Sequence, residues 1–128
     1  MRVFKTKWFA RFARHERIPD RSLCEAVQRA QRGLVDADLG GGVIKQRVAR
    51  QGGGRSGGYR VLIAYRREAK AVFLYGFAKS ERGNVNPRDL ADWQSRAQDV
   101  LAAGNDLIES NVADDILREV YCDQKEKN

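Results

Sequence analysis

Between Leu39 and Arg67 lie seven cations, Lys45, Arg47, Arg50, Arg55, Arg60, Arg66 and Arg67, and no carboxylate. The whole chain holds 24 Lys and Arg against 17 Asp and Glu, so the remainder is balanced and the net charge of +7 resides in this one segment. Lys45 and Arg47 alternate with the apolar Ile44 and Val48, and Arg60 stands between Tyr59 and Val61. Period-two alternation sends the apolar residues of such strands to the core and Lys45, Arg47 and Arg60 together to the opposite face. Guanidinium groups grip phosphate as a bidentate fork and stay charged. Placed around an RNA phosphate, they would stabilise the charge that develops when the adjacent 2′-OH attacks it. Lys45 is the candidate to accept that hydroxyl proton. His15 is the only histidine, and no acidic cluster falls on this face, so neither a metal site nor a cofactor is expected. His15 itself is expected on a helix surface.

The same segment contains Gly52, Gly54 and Gly57 in a formal GxGxxG spacing. That spacing cradles a pyrophosphate only where a helix N-terminus follows. Here "GYRVLIAY" follows, which alternates and is rich in β-branched residues, so the glycines belong to a hairpin loop between two basic strands.

These strands need a scaffold. "RVFKT" predicts a short first strand. Trp8, Phe9, Phe12 and Ala13 are at helical spacing, Pro19 ends that helix, and a second one starts at Asp20 or Ser22 and ends near Gly33. Three strands then follow, "VIKQRVAR", "YRVLIAYR" and "AVFLYGFAK"; in the last, Phe73, Tyr75 and Phe77 are assigned to the core and Leu74, Gly76 and Ala78 to the outside. A further helix is predicted after the Asn86 cap and Pro87. "NVADDILREVYC" reads as a helix or, in its second half, an edge strand. The expected fold is α+β, a small twisted, mainly antiparallel sheet with helices packed on one face and the other face open. At 128 residues the chain fits one domain, divided here into 1–105 and a C-terminal extension, 106–128.

"IKQRVARQGGGRSGGYRVLIAYRR" followed by "VFLYGFAKSERGNV" resembles the RelE/HigB branch of the RelE/ParE superfamily of bacterial type II toxins. The specific parts are Gly58-Tyr59-Arg60 and Ala78-Lys79-Ser80-Glu81-Arg82. The resemblance implies a toxin that cuts mRNA in the ribosomal A site and stops translation, held inactive by a cognate antitoxin expected to carry a helix-turn-helix. It assigns catalysis to Lys45, Arg47 and Arg60, surrounded by candidate RNA contacts at Arg50, Arg55, Arg66, Lys79, Ser80 and Arg82. The chain departs from the family pattern at Ser80, where an arginine is expected, and at Asn86, where a tyrosine is expected.

Two other readings stay open at this point. One is a ParE-like inhibitor of DNA gyrase; the other is an RNA-binding module without activity, which would want aromatics among the exposed cations. Cys24 and Cys122 have no CxxC or Cys/His neighbours and are expected to be reduced thiols in a cytoplasmic protein. No run of residues is long and apolar enough to suggest a membrane span.

Overall fold

The computed structural model describes residues 1–50, 58–79 and 85–122. Ten elements follow in order: β1 (Arg2–Thr6), α1 (Lys7–Glu16), α2 (Asp20–Gln31), β2 (Ala37–Gly40), β3 (Val43–Val48), β4 (Tyr59–Arg66), β5 (Lys70–Ala78), α3 (Pro87–Ala102), α4 (Asn105–Ala113) and β6 (Leu117–Val120). The strands form one sheet in the order β2-β3-β4-β5-β1-β6. Only the β1–β5 pair is parallel; the other neighbours are antiparallel.

Local chemistry sets the helix starts. The Thr6 hydroxyl accepts from the Phe9 amide (3.1 Å) and the Asn86 side chain from the Asp89 amide (2.8 Å), each satisfying an N–H that the first helical turn leaves unpaired. The second helix starts at Asp20 behind Pro19 and makes no side-chain cap. β2, an edge strand that its short, glycine-flanked pattern does not announce, is held by Gln46. This fully buried amide donates to the carbonyls of Ala26 (2.9 Å) and Leu34 (3.2 Å) and accepts from the Asp36 amide (2.7 Å). Every polar position of the side chain that faces the core is thereby paired, as burial requires.

The α+β class and the open, mainly antiparallel sheet agree with the sequence. The expectation of helices on one face alone does not. One core forms where α1 and α2 meet Val3, Ile44, Val48, Tyr59, Val61, Ile63 and Phe73. A second forms on the opposite face, where Ala97 and Leu101 of α3 and Ile108 of α4 cover Phe4, Val43, Leu62, Ala64, Val72 and Leu74. Leu62 and Ala64, which the same alternation that exposes Arg60 sends to the face expected to stay open, are fully buried. The physical reason lies in β4 itself, which is apolar on both sides through its middle and so must be covered twice.

β5 contains a further difference. Leu62 pairs with Tyr75 while the next residue, Ile63, pairs with Phe73, so Leu74 is an extra residue that bulges out of the ladder. The bulge reverses the alternation. Phe73 enters the α1–α2 core as expected, but Tyr75 and Phe77 turn to the α3 side, and Gly76 and Ala78 turn inward. Gly76 is needed there because a Cβ would stand 2.5 Å from Cε2 of Phe12. Cys24 and Cys122, expected to be reduced, are joined in a disulfide with a Cα–Cα distance of 5.5 Å, tying α2 to the chain after β6.

Candidate nucleic-acid interface

β3 and β4 run antiparallel with Arg47 directly opposite Arg60, Lys45 opposite Leu62, and Val43 opposite Ala64. Ile44, Gln46 and Val48 of β3 are buried, with Ile44 and Val48 committed to the α1–α2 core, and Val61 and Ile63 of β4 are committed likewise. Lys45, Arg47 and Arg60 therefore emerge on the other face, as the alternation predicts. α3 covers only the Val43–Ala64 end of that face. The Arg47–Arg60 end lies beyond it.

Two like charges directly opposite on neighbouring strands repel and weaken a sheet. An Arg–Arg pair in this register is therefore a place where an anion between the two guanidinium groups would lower the free energy. Arg47 is partly compensated already: its amide donates to Asp36 Oδ2 (2.7 Å) and its Nη2 to Asp36 Oδ1 (3.5 Å), while Arg29 approaches the same carboxylate at 3.5 Å and donates to the Arg47 carbonyl. Burial pushes the Asp36 carboxyl up, but the Arg47 amide and the two guanidinium charges outweigh it and hold the group below its ordinary value. Arg60 is half-buried and donates to the carbonyl of its neighbour Tyr59 (3.4 Å), with no carboxylate partner among the described residues.

The remaining candidates separate in space. Arg50 leaves the cation face, its guanidinium standing 5.6 Å from the centre of the Tyr59 ring on the α1 side. There the Tyr59 hydroxyl donates to Glu16 (2.9 Å), which the His15 ring also approaches at 3.1 Å. His15 is exposed, as expected, and its hydrogen bond is the first cause holding the Glu16 carboxyl low. Arg66 is on the cation face but at its far end, where it donates to the Leu101 carbonyl (3.0 Å). Lys70 beside it donates to Val100 (3.1 Å) and Ala103 (2.9 Å). Both thus cap the last turn of α3, which has no basic residue of its own, and complement its dipole. Lys79 is exposed at the end of β5. Arg55, Ser80 and Arg82, with most of the glycine loop, lie outside the described residues.

The sequence reading missed an aromatic row beside this face. Tyr75 stands between Trp8 (4.9 Å) and Trp93 (4.9 Å), Trp8 stacks on Phe12 (5.4 Å), and Arg96 lies 5.1 Å from the Trp93 ring. Tyr75 reaches the cation side only through the bulge at Leu74, which an unbroken run of large apolar residues gives no means of detecting. Phe77 is almost fully buried there and Tyr75 half-buried, so they wall the face rather than offer free rings.

Among the described residues there is no His/Cys/Asp/Glu group fit to hold a metal ion, and no helix long and apolar enough to cross a membrane. A cation face of this kind fits polyanion binding and phosphate chemistry carried by side chains. No curated protein and no solved structure gives a significant match to the chain. The family model described as the RelE toxin of the RelE/RelB toxin-antitoxin system matches residues 1–120, almost the whole chain, and with the α+β fold just described the protein belongs to that toxin family, whose members are paired with a cognate antitoxin.

Proposed function

We propose that this toxin is a ribosome-dependent mRNA endonuclease that acts in the cytoplasm and inhibits translation. The observation that carries the reading is the opposition of Arg47 and Arg60 across two strands, with Lys45 two residues along the same face. In this reading the scissile phosphate sits between the two guanidinium groups, which neutralise the charge of the pentacoordinate state as the 2′-oxygen attacks and the 5′-oxygen leaves. Lys45 accepts the 2′-OH proton when it is the free amine, and solvent water protonates the departing 5′-oxygen. The ribosome supplies the substrate geometry: it holds the message in line for attack, so the toxin need only supply charge and a base. Lys79, exposed at the end of β5, contributes a phosphate contact that orients without reading bases. Arg66 has no part in it, since α3 occupies its guanidinium.

The test is cleavage of message on programmed ribosomes. Arg60→Ala is expected to reduce the cleavage rate by ~100- to 1000-fold, the usual loss for one charged transition-state contact, with ribosome binding and folding retained. Arg66→Ala should leave cleavage within a few-fold of wild type. Unchanged cleavage in Arg60→Ala overturns the mechanism, and early arrest of DNA synthesis with translation intact would point to gyrase as the target.

A further inference from the structure

Cys24 and Cys122 are the chain's two cysteines, and they are bonded to each other. In a cytoplasm the thiol pool keeps cysteines reduced, and the disulfides that do form there are mostly transient or redox-sensing. The surroundings of this one suit exchange. The ladder between β6 and β1 ends at Val120, and Tyr121 beyond it is 64% exposed. Two cavities flank this segment. One, of about 370 Å³, is bordered by both cysteines and by Arg21, Glu25 and Gln28 of α2; the other, of about 470 Å³, is bordered by Cys122 but not by Cys24. Cys24 is buried in the α1–α2 core, whereas Cys122 is half-buried against it. Exchange depends on which sulfur a thiolate can reach, and here Cys122 is the reachable one.

We propose that Cys24–Cys122 is a thiol-exchange site: a small thiol of the glutathione class enters the cavity beside α2 and opens the bond in the folded protein, and the corresponding small disulfide closes it. The incoming thiolate forms a bond to Cys122 Sγ, the Cys24–Cys122 bond breaks, and Cys24 leaves with the electron pair and takes a proton from water. Cys24 Sγ lies 3.9 Å from the Tyr121 carbonyl, an acceptor for the new S–H. A second small thiol then attacks the sulfur of the first, which releases Cys122 as a thiol and the small molecule as its disulfide. Two small thiols are oxidised for one protein disulfide reduced, and the reverse sequence closes the link. Opening frees a loop with a sequence separation of 98 residues, so the open form unfolds more often and proteases reach it sooner. The surrounding thiol pool thereby sets how long the toxin lasts. The exchange rests on the bond and its cavities; its use in a cell rests on the cytoplasmic action proposed above.

The experiment treats the oxidised full-length protein with reduced glutathione in native buffer and follows free thiols and intact mass. The opening rate is expected to rise in proportion to glutathione concentration and to exceed the global unfolding rate extrapolated from urea, and glutathione disulfide should restore the bond. In Cys24→Ser, glutathione disulfide should modify Cys122 at least tenfold faster than it modifies Cys24 in Cys122→Ser. Glu25→Gln should speed opening and Arg21→Gln slow it, each by about two- to threefold, because the attacking thiolate is an anion and both positions are exposed. The closed form should outlast the open form at least tenfold against thermolysin. An opening rate independent of glutathione, a bond that stays closed in excess reduced glutathione, or equal lifetimes against thermolysin overturns the proposal. So do unchanged rates in both charge variants, or faster modification of Cys24 than of Cys122. None of these measurements involves RNA, so their failure leaves the nuclease reading untouched, and loss of that reading leaves them standing.

Discussion

Arg47 is placed between opposing electrostatic influences: Arg60 across the ladder repels it, and Asp36 at the β2 edge holds both its amide and its guanidinium. A phosphate entering the face must share Arg47 with that carboxylate. Asp36→Asn keeps an acceptor for the Arg47 amide but removes the charge, so RNA binding is expected to tighten, with a log K against log salt slope steeper by up to ~0.7–0.9, one phosphate contact. The same change should lower stability by roughly 1 kcal/mol, the scale of one hydrogen-bonded partner. The pH dependence has a definite sign. The folded Asp36 carboxyl lies below its ordinary value, so its contribution is complete above that ordinary value and is lost as pH falls through the folded one. The difference in urea midpoint between wild type and Asp36→Asn should therefore narrow as the pH is taken down through the carboxylate range; a constant difference would mean that the ion pair contributes nothing. At this scale the placement of Lys45, Arg47 and Arg60 was legible, because Ile44, Val48 and Val61 leave each strand one way to face. The diversion of Arg66 to α3 and of Arg50 to the Tyr59 ring was not. Both depend on a group brought near by the fold, the Leu101 carbonyl in one case and an aromatic face in the other.

Among the elements, β5 decides what surrounds the cations. Had its alternation run unbroken, Tyr75 and Phe77 would have entered the α1–α2 core and Leu74, Gly76 and Ala78 would have bordered the Arg face. The bulge at Leu74 inverts this, and Gly76 then passes under Phe12 with no room for a side chain. Gly76→Ala is expected to cost ~1–3 kcal/mol, the range for overpacking a core, since Phe12 Cε2 lies 2.5 Å from the new methyl position. Phe12→Leu in the same chain should recover part of the loss, a coupling that a double-mutant cycle in urea detects. Additive losses would place the strain elsewhere. The start of α3 was readable from the Asn86 cap, and α1, α2 and the strands β3 to β5 from periodicity and Pro19, whereas α4 (Asn105–Ala113) was not read. The bulge was not, because "VFLY" is apolar in either register, and the second helical layer was missed because Leu62 and Ala64 were assigned to an open face instead of being read as a doubly buried strand. The β2–β3 turn belongs with α3: Gly41 and Gly42 have positive φ, and a Cβ on them would meet Gln94 at 2.8 Å and Leu101 at 2.9 Å.

Across the whole molecule, the sheet separates the cation face from what secures the chain. The strand order puts β3 and β4 near one edge and β6 at the other, three strand spacings from β4, ~14 Å. At the β6 edge Arg2 of β1 holds Glu119 (2.7 Å), and the disulfide joins Cys24 to Cys122 across a sequence separation of 98 residues. Such spacing has no reading in one dimension; only the insertion of β1 between β5 and β6, with α2 packed over it, brings the two sulfurs together. Closing a loop of about 100 residues restricts the unfolded chain by up to ~4.7 kcal/mol in the chain-entropy picture, a large share of the ~5–15 kcal/mol of a typical domain. Reduction should therefore lower the urea midpoint of the wild-type protein markedly. Cys24→Ser should match the reduced protein and show no response to reductant. Translation arrest, read at a temperature where both forms remain folded, is expected to be equal, because the Arg47–Arg60 pair is positioned by β3 and β4 and not by the β6 edge. Equal urea midpoints with and without reductant would show that the cross-link does not stabilise the fold, whereas arrest that disappears on reduction would mean that the β6 edge and the cation face, which the sheet order holds apart, are coupled.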